Sequence, residues 1–334
     1  MRRLITGAAL TALTAKALLR GGGIDLGGRV AVVTGGSRGL GLALAREFAS
    51  QGAAVVVCAR NAEQVEGAAS ELRAGGADAL GVACDVRDPE QVRALIDRAV
   101  ERHGRLDVLV NNAGTISIGP VEVQTLEDFQ QAMDTMFWGT YHPTMAALPH
   151  LRAAEAGRIV NITSIGGKVP APHLLPYTAA KSAAVGFSEG LRVELAPEGV
   201  LVTTVVPGLM RTGSHLAALA KGDSAAEFRW FGLAASLPVT STSAEHAARR
   251  IVAAARRGDA EVILTWQAHL AVRLHGLAPA LSSRAAALVD RLLPDPPSDG
   301  SGTEAELGGE TGVDLGPLGA LGDRAAETHR QSLD

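Results

Sequence analysis

The stretch VAVVTGGSRGLGLALAREFAS, Val30–Ser50, decides the fold. It opens on an apolar run without polar alternation, the pattern of a strand covered on both faces. It closes on LALAREFASQ, Leu42–Gln51, which has a helical pattern. Between them lies TGGSRGLG, Thr34–Gly41, in which Gly35, Gly39 and Gly41 allow a tight turn and let a phosphate approach the backbone. The helix that follows aims unpaired N–H groups and its positive dipole end at the same place. Glycines alone often serve only a bend. A strand before them and a helix after them, in the first βα unit, make this a dinucleotide-phosphate turn.

Working outward, six more apolar runs follow: AAVVVCAR from Ala53, LGVACDV from Leu80, LDVLVNNAG from Leu106, GRIVNITS from Gly157, VLVTTVVPG from Val200 and EVILT from Glu261. Helical stretches such as EQVRALIDRAVERHG and SAEHAARRIVAAARRG fill the intervals. That alternation predicts an α/β fold, a doubly wound parallel sheet (Rossmann fold) of about seven strands with helices on both faces. It occupies residues 28–264, with a lid at about 209–242.

The apolar fraction of 47% is enough for a large core, and a net charge of −4 gives no global field for nucleic acid. Cys58 and Cys84 lie in strand-like runs and read as buried thiols of a reducing, cytoplasmic setting. The histidines show no ligand-like spacing, so no metal site is indicated. Residues 1–27 read as an apolar and basic helix. Packing on the protein's own surface, membrane-surface attachment and a cleaved signal are its three readings. Residues 265–293 read as one or two amphipathic helices, open to capping the pocket, joining a homo-oligomer interface or touching a membrane. Residues 294–334, rich in Gly, Ser, Pro and acids, are expected to be a disordered acidic tail.

The second strand ends without the acidic residue that usually accepts from an unphosphorylated ribose. Arg38 and Arg60 stand instead where they can clasp a 2′-phosphate, which favours NADP(H) over NAD(H). Further on, Tyr177 and Lys181 are four apart and share a helix face. A neighbouring ammonium favours phenolate, so Tyr177 can exchange a proton with a substrate oxygen, and Ser164 at a strand end can hold that oxygen.

TGGSRGLG, Asp85-Val86, NNAG (Asn111–Gly114), Ser164, YTAAK (Tyr177–Lys181) and PGLMRT (Pro207–Thr212) occur in the order of the classical short-chain dehydrogenase/reductase family, which the chain resembles from about Gly28 to Leu264. The resemblance implies that Gly35, Ser37, Arg38, Gly39, Leu40 and Gly41 hold the pyrophosphate and ribose, with Asp85 and Val86 beside the adenine. It implies that Asn112, Ala113 and Gly114 line the cofactor path and that Pro207, Gly208 and Thr212 meet the nicotinamide. Tyr177 is then the acid/base, Lys181 lowers its pKa and binds the nicotinamide ribose, and Ser164 orients the substrate. One position departs: Met136 stands where the family usually has an asparagine on the proton path. Leu209, Met210, Leu216, Phe228, Trp230, Phe231 and Leu233, with Pro170, Pro172, His173, Leu174 and Leu175, suggest an apolar pocket for a bulky ketone or secondary alcohol. A binding protein that senses NADP(H) without turnover is the second functional class, with Met136 its only support.

Overall fold

Successive side chains of β1 (Val30–Thr34) enter different cores, which is why that run is apolar throughout. Ala31 and Val33 join Leu44, Phe48 and Ile251, under the helices Gly39–Ser50 and Ala244–Arg257. Val30 and Val32 join Leu95, Ile96 and Leu151, under Pro89–His103 and Gly139–Ala153. The computed structural model describes residues 23–299 and 301–331, so most of the expected N-terminal helix lies outside the described residues.

The further strands are β2 (Ala54–Ala59), β3 (Ala79–Ala83), β4 (Val108–Asn111), β5 (Ser117–Ile118), β6 (Arg158–Ile162), β7 (Leu201–Val206), β8 (Leu209–Arg211), β9 (Leu219–Ala220), β10 (Ser241–Ser243), β11 (Glu261–Ile263) and β12 (Glu306–Leu307). Seven of them form one parallel sheet in the order β11-β7-β6-β4-β1-β2-β3. The chain reverses direction across the sheet between β1 and β4, and the crevice there is where such folds bind ligands. Local chemistry starts the helices on cue: Asn61, Asp88 and Ser243 each accept a first-turn N–H, and Thr125 with Asp128 forms a capping box.

The segment expected as a lid is ordered around the helix Ser224–Ser236, with β8 paired to β10 and β9 to β5. The tail expected to be disordered is not. β12 pairs antiparallel with β9, and the helix Gly316–Thr328 packs on Ser224–Ser236. The reason is close backbone approach rather than apolar bulk. A Cβ on Gly308 would lie 2.4 Å from the His215 carbonyl oxygen, and one on Gly213 would lie 2.5 Å from Ala326 Cα. The last helix ends in a Schellman turn: the Gln331 N–H donates to Ala326 O at 2.8 Å and the Arg330 N–H to Glu327 O at 3.3 Å. Arg330 takes the left-handed position at φ 56°, which costs a non-glycine residue about 1–2 kcal/mol.

Beyond β11 the chain forms helices Trp266–Leu277 and Pro279–Asp290. They leave Trp266, Leu270, Leu274, Leu277, Leu281 and Leu288 exposed. Among the described residues no helix is long and apolar enough to cross a membrane, and no cluster of metal-ligating side chains occurs.

Candidate active site

A cavity of about 820 Å³ opens at the C-terminal ends of β1 and β4. The glycine turn forms its floor by being locked to the NNAG loop. Thr34 Oγ1 accepts from the backbone N–H groups of Asn112 (2.9 Å) and Ala113 (3.1 Å), and Asn112 Nδ2 donates to Thr34 O (3.0 Å) and Gly35 O (3.2 Å). A Cβ on Gly41 would lie 2.1 Å from Gly35 O, so no side chain fits there. The helix Gly39–Ser50 carries no side-chain cap and no acid in its first turn; its first N–H goes to the His329 carbonyl, and Leu40 and Gly41 on the cavity wall are left for an anion. This shape and polarity fit a dinucleotide phosphate.

Arg38 and Arg60 line the same cavity. Neither makes an ion pair among the described residues. Burial, with the repulsion of Arg60, pushes the Arg38 guanidinium below its usual pKa. Asp85 and Val86 line the cavity beside them, Asp85 held low by its hydrogen bonds from Arg87. Asn112, Ala113 and Gly114 continue the wall to the far end.

There, the helix Leu175–Leu195 presents Tyr177 and Lys181 one turn apart, both on the cavity wall. Lys181 is buried and donates from Nζ to Ile162 O at 2.8 Å, with Nζ 5.9 Å from the Tyr177 ring centroid. Burial lowers Lys181 to about 8. Tyr177 behaves differently from expectation. Burial pushes its phenol up, and the opposing pull comes from a hydrogen bond with Ser164 rather than from the lysine. Ser164 lies two residues beyond β6 and its Oγ also accepts from the Gly166 N–H at 3.0 Å.

The structure brings Gly35, Ser37, Arg38, Leu40, Gly41, Arg60, Asp85, Val86, Asn112, Ala113, Gly114, Tyr177, Lys181 and Thr212 to one cavity. Gly39, Ser164, Pro207 and Gly208 are not on its wall. Gly39 is covered by Gln331, and a Cβ on Gly208 would strike Thr265 Oγ1 at 2.6 Å, which makes it a packing position. Pro207 O accepts from the Ile165 N–H at 2.8 Å and so supports the Ser164 loop. Not singled out from the sequence were Leu307 and Gln331, both from the tail, Ala217 and Leu219 within the lid, and Ile116 beside it.

The profile of the family described as short chain dehydrogenase matches residues 29–221. The chain belongs to the short-chain dehydrogenase/reductase family. Similar proteins include one assigned as ketoacyl reductase 1 of the granaticin polyketide synthase of Streptomyces violaceoruber, 40% identical over 185 residues, 55% of this chain and 68% of the relative. L-fucose dehydrogenase of Oryctolagus cuniculus is 38% identical over 207 residues, 61% of this chain and 71% of the relative. A crystal structure of a short-chain type dehydrogenase/reductase from Mycobacterium marinum superposes with TM-score 0.64 at 28% identity, covering 72% of this chain and 95% of that one. The chain is thus an oxidoreductase of a family that uses nicotinamide cofactors.

Met136, the departure within this short-chain dehydrogenase/reductase, is buried in a π-helical segment, Asp134–Trp138. It packs with Ala132, Ala180 and Tyr177, and both its Cγ and Lys181 Nζ lie 3.7 Å from where a Cβ on Gly114 would sit. A thioether is a weak acceptor and no donor, so Met136 cannot hold a water as an amide would. Met136→Asn is expected to retain or raise steady-state turnover; a large loss would show that the thioether shapes the site by packing.

The lid differs from its expected role. Phe231 is buried in the lid's own core, Phe228 is buried against His215 and Gly308, and neither they nor Trp230 line the cavity. The buried Glu227 accepts from Trp230 Nε1 at 2.7 Å and pairs with His173 Nδ1 at 2.6 Å, which latches the lid helix to the loop before Tyr177. His173, expected on the pocket wall, is held in this latch and does not line the cavity.

Proposed function

We propose that this protein is an NADP(H)-dependent oxidoreductase acting on a bulky, mostly apolar ketone or secondary alcohol, with Tyr177 as acid/base. The observation that carries the reading is that Tyr177 and Lys181 stand on the wall of the same cavity that the glycine turn opens. When bound, a nicotinamide supplies or accepts the hydride. Tyr177 gives a proton to the substrate oxygen or takes one from it, and Ser164 holds that oxygen by hydrogen bonding. Lys181, tethered to Ile162 O, places a positive charge beside the phenol and binds ribose hydroxyls.

Two arginines in one wall with no carboxylate at ion-pair distance among the described residues, Arg60 feeling the charge of Asp85 only from further off, support a 2′-phosphate ligand, because a dianion relieves their mutual repulsion. Ile116, Met210, Ala217, Leu219 and Leu307 give the substrate end an apolar lining. The ketoacyl reductase name of one relative, and the 11-beta-hydroxysteroid dehydrogenase name of another from Sesamum indicum (39% identical over 190 residues), agree with carbonyl chemistry.

The test is a fluorescence titration with NADPH and NADH, followed by a panel of apolar ketones. NADPH is expected to bind at least about tenfold tighter, and Arg38→Ala and Arg60→Ala each to shrink that ratio several-fold, as loss of a charge-assisted hydrogen bond does. Equal affinities in the parent protein would overturn the cofactor reading. Met136 favours a second reading, a sensor that binds NADP(H) without turnover. Binding without oxidation across the whole panel, unaffected by Tyr177→Phe, would decide for it.

A further inference from the structure

The tail reaches the phosphate end of the cavity and contributes a side chain there. The Gly39 N–H, first donor of the helix after the glycine turn, is taken by His329 O at 2.8 Å, which leaves Leu40 and Gly41 on the cavity wall. Arg46 fixes the tail in place, donating to Thr328 O at 3.0 Å and lying 3.3 Å from His329 Nδ1. His329 Nε2 is 3.0 Å from Glu245 on the neighbouring helix. The Schellman turn then directs Gln331 inward. Its Nε2 lies 2.6 Å from where a Cβ on Gly39 would be, and its Cβ 2.8 Å from the same point on Gly213, next to Thr212. Gln331 is 7% exposed, lines the cavity, and its Oε1 is buried with no hydrogen-bond partner among the described residues. A buried amide oxygen without a partner is costly unless a ligand supplies the donor.

We propose that Gln331 is a ligand-binding residue of the dinucleotide site, its carboxamide completing the phosphate–ribose section between Gly39 and Thr212. An amide suits that section because it offers a donor to phosphate oxygens and an acceptor to ribose hydroxyls. The segment is then a wall of the site rather than a competitor for it, since it occupies the one helix donor at the edge and leaves those facing the cavity. The proposal rests on the reading of the cavity as a dinucleotide site.

Two variants of the full chain test it. Gln331→Met keeps the volume packed against Gly213 and Ala326 and removes both polar atoms. Gln331→Glu keeps the shape and adds a negative charge. NADPH and 2′,5′-ADP are titrated against each, with the thermal midpoint of the ligand-free protein as a control for folding. Gln331→Met is expected to weaken both ligands by about tenfold. Gln331→Glu should weaken them further, by an amount that shrinks as salt is raised. Affinities within twofold of the parent in both variants would overturn the proposal. Tighter binding would overturn it too, and would make the tail an inhibitor. A parent protein that binds neither NADPH nor NADH would remove the dinucleotide reading and this proposal together, whereas binding indifferent to residue 331 removes the proposal alone.

Discussion

Tyr177→Phe is expected to lower turnover about 10²- to 10⁴-fold, the range for losing a positioned proton donor. The readout is NADPH oxidation at saturating ketone, with dinucleotide affinity changed less than about tenfold because the ring and its packing against Met136 remain. Burial holds the phenol protonated, which suits donation to a developing alkoxide, while the Ser164 hydrogen bond eases its deprotonation. The pH profile follows from Lys181. With a folded pKa of about 8, its charge is present below that value and lost above it. In the reductive direction kcat/KM should therefore fall as pH rises through about 8. Stability moves the opposite way. An unfolded lysine titrates near about 10.4, so between 8 and that value the unfolded chain holds more protons and stability rises with pH. A Tyr177→Phe loss below about tenfold would take the acid/base role away from this residue.

The second large effect is steric. Gly41→Ala places a Cβ 2.1 Å from Gly35 O, an overlap with backbone that no rotamer relieves. Overpacking of that severity costs about 3 kcal/mol or more, and the shift of the turn should weaken dinucleotide binding at least about 100-fold. Gly186→Ala is the control, since a Cβ there meets nothing within 4 Å inside the helix Leu175–Leu195. It should leave binding intact and stabilise the fold by about 0.5–1 kcal/mol. Comparable binding in the two variants, followed by fluorescence titration, would show that the turn does not set the phosphate position.

Which parts of this molecule the sequence could reveal follows from how local each signal is. The phosphate turn, the NNAG loop and the Tyr177–Lys181 pair are short motifs whose chemistry sits on adjacent residues. The sheet was legible because its five inner strands are buried on both faces and so write continuous apolar runs, while the edge strands β3 and β11 are partly exposed. The tail was not legible for a complementary reason. It is held by backbone hydrogen bonds, as at Gly39–His329 and Gly308–Ala218, and by glycines that let chains touch. Hydropathy counts neither, and a composition rule reads the same glycines as disorder. The lid aromatics misled in the other direction. Their clustering signalled a local core, and only the fold shows that Glu227 and His173 turn that core away from the cavity.

Joining the tail to the phosphate turn also ties together the two most distant parts of the described chain. Arg46 and His329 are separated by 283 positions, so their contact carries a larger loop-closure cost than the pairings within the first βα units, by about 0.6 kcal/mol for each doubling of the separation. The nucleotide crevice between β1 and β4 is built from pairings among residues 30–111 and does not need that closure. The tail is therefore expected to dock last and to leave first when stability is lowered, which native-state hydrogen exchange of the Gly39 and Gln331 amides would read.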